Sequence, residues 1–367
     1  MLRTFLTVGV LLSLTTSVIA QSSGYSGLFD VEGRRLALQT AELAPIRNSC
    51  LSIERDPQWP EMEVVTALSA TQGYGTDRSG NDFSWAVMVL SGRSLGGDDQ
   101  ATQDLKTLLL NWARNGAFRD VEVIHDAYYA LKRVMLPVSI AYAILKPSLS
   151  ASEDAELVQW IDPLVRKVDH RFEGDVDINN HRDLADSTLM VWGGITSDRT
   201  LIEQGIARYK ETVAHARSDG SIPLETRRGS RSLWYMRQTL TSLTVMAEVA
   251  RGQGIDLYQG GDASIWPIFG FLVNGLRNPI LVNSYAAQNY IPGPQVDYRI
   301  TDFGFLDARS NGRHYLASLE AIVGRTQSSF AQDRVAHLFK THALDERPLI
   351  DEFIGGNATC FWGRVWQ

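Results

Sequence analysis

Apolar residues recur every three or four positions through most of this chain, the period of an α-helix packed on one face. Leu105, Leu108, Leu109 and Trp112 form one such stripe. Leu131, Met135, Ile140 and Leu145 fall in a second candidate helix, which contains Pro137, and Leu157, Ile161, Leu164 and Val165 form a third. Leu184, Leu189, Met190 and Trp192 lie on another. Leu201, Ile202, Ile206 and Tyr209 follow, then Leu233, Leu240, Leu243, Ala247 and Ala250 on a long amphipathic helix that ends near Gly252. Convincing period-two strands are scarce. The tract from Val282 to Phe305, rich in Asn, Pro, Gly and aromatic residues, reads as short strands or a long loop.

The helices come in pairs joined by polar turns, such as Thr196-Ser197-Asp198-Arg199 and Ser218-Asp219-Gly220-Ser221. No exact repeat is visible. Serial α-hairpins either coil into a solenoid or close into a ring. The pattern itself says all-α; the toroid is one of its two closures. With no break in composition, residues 21–367 are expected to form one domain.

The N-terminus adds a leader. Met1 to Ala20 carries Arg3, an apolar run around Val8 to Leu14, and Val18-Ile19-Ala20 before Gln21, the pattern a signal peptidase reads. Its apolar core is too short to span a bilayer. The mature protein is therefore expected to be soluble and monomeric, secreted or periplasmic, with no membrane partner. Cys50 and Cys360 are the two cysteines, and in an oxidising compartment they either pair or stay free. Asn357-Ala358-Thr359 is a glycosylation sequon.

Composition narrows the partner. A hydrophobic content of 44% indicates a packed globule. The formal charge is −7, and −8 once Arg3 leaves with the leader, which argues against nucleic acid. It does not exclude a polyanion, because a local cationic cleft can oppose the net charge. The seven histidines show no His-Glu-x-x-His spacing, so no metal or other cofactor is expected.

Two segments carry candidate chemistry. One is Ile178-Asn179-Asn180-His181, just ahead of a helix. The other runs from Pro223-Leu224-Glu225 through Arg227, Arg228, Gly229 and Arg231 to Leu233-Trp234-Tyr235. Taken singly, each residue has an ordinary role. Asn before a helix is a cap, and a lone His is more often a hydrogen-bonded structural residue. Arg228 and Arg231 are either solvated or paired with Glu225, and Tyr235 packs with its hydroxyl bonded.

As a set they resemble the alginate lyase family of α-toroid polysaccharide lyases. The resemblance rests on Asn179-Asn180-His181, Pro223-Leu224-Glu225, the Arg-Gly-x-Arg-x-Leu-x-Tyr run from Arg228 to Tyr235, and Ala247-Glu248 with Gly254 to Leu257. Leu110-Asn111-Trp112-Ala113 adds a weaker match. The resemblance covers the middle of the chain and implies an (α/α) toroid, an incomplete barrel of helical hairpins. It also implies a metal-independent lyase acting on an anionic polysaccharide, a uronate polymer such as mannuronate-containing alginate. Asn180, His181, Arg228 and Tyr235 become the expected catalytic residues. Arg231, Asn179, Gln72 and Tyr74 become the expected substrate contacts. Two departures stand out. The family's Lys-x-x-Gly-Ser-Asp loop has its nearest counterpart in Gln72 to Asp77, without the lysine, and Arg182-Asp183-Leu184 replaces the aromatic residues that often follow Asn-Asn-His. Glucuronan and guluronate thus stay open as substrates.

The chemistry of elimination explains the residue types. Loss of the C5 proton of a uronate develops charge on its C6 carboxylate, which donors such as Asn180 and a cation such as Arg228 stabilise. A base takes the C5 proton and an acid protonates the departing C4 oxygen. Tyr235 serves both steps if the two groups share one face of the sugar, with His181 as alternative base or partner. Tyrosine is a poor base at its ordinary pKa of about 10, and cationic neighbours would favour its phenolate. If helical from Arg228 onward, the seven-residue spacing puts Arg228 and Tyr235 on one face. Two rivals remain at this point. A glycoside hydrolase needs two carboxylates, for which Asp175, Asp177, Asp183, Asp186 and Glu225 are available. A non-catalytic binding protein needs only the cleft and its aromatic residues.

Overall fold

A computed structural model describes residues 27–68, 78–259, 264–289, 297–325 and 329–366. The expected leader, residues 1–20, and the loop residues Gln72 and Tyr74 lie outside the described residues. Two short helices, α1 (Val31–Leu38) and α2 (Ala44–Leu51), precede α3 (Arg78–Leu95). Then come α4 (Asp99–Arg114), α5 (His125–Leu145), α6 (Ala151–Lys167), α7 (Asn180–Thr196), α8 (Arg199–Ala214), the single turn α9 (Pro223–Thr226) and α10 (Ser232–Gly252). The remainder comprises α11 (Trp266–Arg277), α12 (Ile280–Ala286), α13 (Leu319–Ile322), α14 (Ser329–His342), the strands β1 (Ile350–Asp351) and β2 (Gly356–Asn357), and α15 (Ala358–Trp362).

Two burial patterns alternate along these helices, and the alternation sets the architecture. On α4, α6 and α8 only one stripe is buried, for example Leu157, Trp160, Ile161, Leu164 and Val165 on α6. On α5, α7 and α10 nearly every residue is buried, Trp234 being the exception between Ser232 and Ala250. A helix buried all round must lie inside other helices. Accordingly α3, α5, α7 and α10 pack on one another in that order, while α4, α6 and α8 back them from outside. This is the all-α toroid of helical hairpins. The sequence pattern describes α10 as amphipathic; it is instead an inner helix whose polar residues, Arg237, Gln238 and Glu248 among them, point into packed surroundings.

Local sequence fixes where these helices begin. Asp98 caps α4 through the Ala101 N–H at 3.0 Å. Ser150 and Glu153 form a reciprocal capping box on α6, and Asp198 caps α8. The turns from inner to outer helix are short, as at residues 96–98, 146–150 and 197–198. The returns, residues 115–124, 168–179 and 215–231, are long. All the long returns therefore collect at the N-terminal ends of the inner helices.

The C-terminal part closes the ring. β1 and β2 pair antiparallel, Ile350 opposite Asn357, and the turn between them packs on α5 and α10. Cys50 on α2 is disulfide-bonded to Cys360 on α15, with Cα atoms 5.5 Å apart. Beside it Arg34 donates to the carbonyls of Cys360 at 2.6 Å and Gly363 at 2.7 Å. The sequon asparagine is buried and accepts the Cys360 N–H at 3.1 Å, so Asn357 serves as the cap of α15. The Val282–Phe305 tract begins as the end of α12 and continues in turns, with no strand among its described residues.

Candidate active site

A cleft of about 440 Å³ opens among the long returns. His125, Asp126, Tyr129 and Arg133 enter it from α5, and Asn179 and His181 from the start of α7. Arg228, Arg231, Trp234, Tyr235 and Gln238 come from the approach and first turns of α10. Arg309, Tyr315 and Phe353 come from the C-terminal part. Four arginines thus face one carboxylate, Asp126, which lies 3.5 Å from His125. The inner-helix N-termini add their own positive ends. The wall suits an anion.

Asn179 caps α7 by accepting the His181 N–H at 2.9 Å. Lys132, buried on α5, donates to the His181 carbonyl at 3.1 Å. Burial lowers the His181 pKa well below the usual imidazole value, helped by the charges of Lys132 and Arg228 and by His125. The imidazole is therefore neutral, a proton acceptor. Its Nδ1 is buried without a hydrogen-bond partner among the described residues, and its ring stacks on Tyr129 with centroids 4.3 Å apart.

Arg228 and Tyr235 meet by a route the spacing argument did not foresee. A 3-10 turn, Gly229–Arg231, separates Arg228 from α10, which begins only at Ser232. Gly229 adopts φ +55°, a conformation glycine takes without penalty, and this folds Arg228 back. Its Cζ lies 3.5 Å from the Tyr235 ring centroid. Arg228 is 4% exposed, has no carboxylate at ion-pair distance among the described residues, and its Nε is unpartnered. Both Tyr235 and this guanidinium line the cleft.

Arg231 is held by Asp302 at 3.1 Å and lies 5.4 Å from the Trp234 ring. Arg309 approaches the same indole at 5.5 Å. Arg133 is paired with Glu352, which also forms an ion pair with Arg313 at 2.7 Å. Burial would raise Glu352, but Arg133 and Arg313 hold it well below the usual carboxylate range.

Of the expected catalytic residues, Asn180 is placed differently. It is fully buried and does not line the cleft. Its backbone N–H and Nδ2 both donate to Glu225, at 2.8 Å each, and its Oδ1 accepts from Gln238 at 2.9 Å. The reason is Glu225: a fully buried carboxylate must find donors, and the Asn-Asn-His and Pro-Leu-Glu segments are clasped together to supply them. The Ala247-Glu248 and Gly254–Leu257 elements are likewise structural. Glu248 accepts from Tyr258 at 2.9 Å and from two Arg325 nitrogens at 2.7 Å, securing the end of α10.

The other carboxylates available for hydrolysis do not face the cleft. Asp183 accepts from Thr212 at 2.6 Å, and burial pushes its pKa up to about 8. Asp186 is enclosed by Arg182 and Arg208. Asp175 and Asp177 flank Val176, which lines the cleft, but are themselves absent from the lining. Sequence reasoning missed His125, Tyr129, Arg133, Gln238, Arg309, Tyr315 and Phe353. One of them had a signal: Gln238 lies three residues beyond Tyr235 on α10, the spacing that puts two side chains on one helical face.

Comparison with known proteins bears on the same segments. The family model described as alginate lyase matches residues 97–281. A polysaccharide lyase of Stenotrophomonas maltophilia is 28% identical over 200 residues, covering 53% of this chain and 60% of its own length. An alginate lyase of Pseudomonas syringae pv. syringae is 25% identical over 180 residues, covering 47% and 48%. The aligned part thus spans 48% to 60% of the length of these relatives. Alginate lyase A1-III of Sphingomonas species A1 shares the fold, with TM-score 0.72 and 22% identity over 94% of this chain and 98% of that one.

Proposed function

The chain belongs to the alginate lyase family, and from that premise we propose that it is a polysaccharide lyase that cleaves mannuronate-containing alginate by metal-independent β-elimination. The observation that carries the reading is the contact of Arg228 with Tyr235 beside a neutral His181 in an arginine-lined cleft. A uronate carboxylate seated against Arg228 brings to that cation the charge that develops when C5 loses its proton. The electron pair from the C5–H bond forms the C4–C5 double bond, and the C4 oxygen leaves with a proton. With its own proton passed to the neutral His181, Tyr235 takes the C5 proton as a phenolate and hands it to the departing C4 oxygen.

Charge stabilisation by arginine removes the need for a metal. Among the described residues no group of three or more His, Cys, Asp or Glu side chains is placed to hold one. The cleft geometry also disfavours hydrolysis, since a pair of carboxylates flanking the bond is required and the described lining holds one. Export to the periplasm or medium fits the leader and the Cys50–Cys360 bond. The test is a panel of mannuronate and guluronate blocks, glucuronan and pectate, followed by ultraviolet absorbance of the new double bond. Absorbing products from mannuronate blocks are expected. Reducing ends without absorbance, or no products at all, would overturn the reading.

A further inference from the structure

Asn180, displaced from the cleft, leads to a residue that takes over a donor role. Glu225 is fully buried, and its carboxylate accepts from both the backbone N–H and Nδ2 of Asn180. With its amide nitrogen turned to Glu225, Asn180 presents its oxygen to Gln238, whose Nε2 donates to it at 2.9 Å. The same Gln238 nitrogen donates to the Tyr129 oxygen at 2.7 Å. Each link has only one possible direction, because a carboxylate accepts and an amide nitrogen donates. Tyr129 is therefore an acceptor in its bond to Gln238, and its own proton is not used there. No acceptor is bonded to that proton among the described residues. The ring is fixed against His181, and Tyr129 lines the cleft on the side of the reacting residues.

We propose that the Tyr129 hydroxyl donates a hydrogen bond to the carboxylate of the bound uronate, its direction set by the chain from Glu225 through Asn180 and Gln238. Burial also pushes the Tyr129 pKa up, which keeps the phenol protonated as a donor requires. The division of labour follows: Tyr235 exchanges protons and Tyr129 holds one. As the electron pair from C5 spreads onto the carboxylate, this donor's bond strengthens, adding to the charge of Arg228. Asn180 and Gln238 are positioning residues, acting through Tyr129. The inference rests on the uronate reading of the cleft.

The decisive variant is Tyr129→Phe, which retains the stack on His181 and loses only the hydroxyl. Two measurements are made. Affinity for mannuronate blocks, titrated by calorimetry in a Tyr235→Phe background, should weaken about tenfold or more, as loss of a hydrogen bond to a charged group implies. Turnover in the otherwise native chain should fall by about 10²-fold, as for an oxyanion donor, with the thermal midpoint little changed. Gln238→Glu substitutes an acceptor for the donor and draws the Tyr129 proton back; its effect on affinity should largely vanish in the Tyr129→Phe background. Unchanged affinity and turnover in Tyr129→Phe, or independent multiplication of the two effects, would overturn the proposal. Because affinity is read without turnover, a chain that binds but never forms unsaturated ends defeats the lyase reading alone.

Discussion

Helix α7 carries two polar clusters little more than a turn apart, and they obey opposite rules. At Asp186 every partner is present. Arg182 donates through Nε at 2.7 Å, Arg208 at 3.0 Å and Gln204 at 2.7 Å, while Arg182 also reaches Asp169 at 2.6 Å. Burial would raise Asp186, yet these donors, with Arg182 foremost, hold it below the usual carboxylate value. At His181 partners are missing among the described residues: the imidazole Nδ1 and the nearby Arg228 Nε are buried with no hydrogen-bond partner there. A completed polar cluster is matched to the fold, because breaking it leaves an uncompensated buried charge. An incomplete one at a cleft wall is matched to something that arrives from outside. The two clusters differ in what they are complementary to.

The largest effect that could break this contrast is expected at Tyr235. Tyr235→Phe keeps the ring under Arg228 and removes the proton-transferring hydroxyl, so turnover should fall by about 10²–10⁴-fold. Thermal unfolding of the same preparation should be nearly native. Near-normal turnover with a lowered midpoint would assign Tyr235 to the structural class. Asp186→Ala makes the mirror forecast. It takes the fully buried carboxylate from Arg182 and Arg208, leaving them only Asp169 at 2.6 Å and Glu211 at 3.4 Å, and should cost up to about 3 kcal/mol of stability, measured by urea unfolding. The folded fraction should keep its turnover number.

Arg228→Ala sharpens the contrast further. It removes a buried cation with no carboxylate at ion-pair distance among the described residues, so stability should fall less than in Asp186→Ala. Turnover should drop about 10²–10³-fold, as for other groups that stabilise developing charge. A loss of stability as large as that of Asp186→Ala would show Arg228 to be part of the frame.

The sequence pattern discloses these clusters unevenly. Stripes on α4, α6 and α8 were readable because outer helices bury one face, and the buried helices α5, α7 and α10 still showed three- and four-residue recurrences. α3 was not read, since Ser and Gly interrupt its apolar face. At one of those glycines, Gly92, an added Cβ would come within 2.6 Å of the Asn357 amide, so the gap in the pattern is a close approach to β2. The motif points to His181, Arg228 and Tyr235, and all three line the cleft. Tyr129 and Arg133 are polar residues on a helix otherwise given to the core, a pattern that an ordinary snorkelling side chain also produces. Arg309, Tyr315 and Phe353 reach the cleft from segments remote in sequence, and no local period encodes that meeting. Asn180, buried and absent from the cleft lining, differs from the expectation for a related reason. The motif shows which residues occur together, whereas its side-chain direction depends on Glu225, whose burial is a property of the fold.

The smallest effect is a pH dependence, and it bears on His181 itself. The groups around the imidazole are Lys132, Arg228, His125 and Tyr129. Its folded pKa lies well below the ordinary 6.5, so between those two values the unfolded chain binds a proton that the folded chain does not. Stability therefore falls as pH is lowered through 6.5, and the His181→Ala variant should lose less stability over that interval than the native chain. Activity should behave in the opposite sense. Because the folded imidazole stays neutral, kcat/KM should not decline through the usual histidine range, and its acid limb should lie below pH 6.5. Lys132→Met tests the cause. The Lys132 ammonium is lowered by burial to about 8, so it is charged throughout the acid limb. Removing it takes away one of the charges that oppose protonation of His181, and the limb should move toward higher pH. An acid limb at 6.5 in the native chain, unmoved by Lys132→Met, would mean that the imidazole is not the neutral acceptor that the incomplete cluster requires.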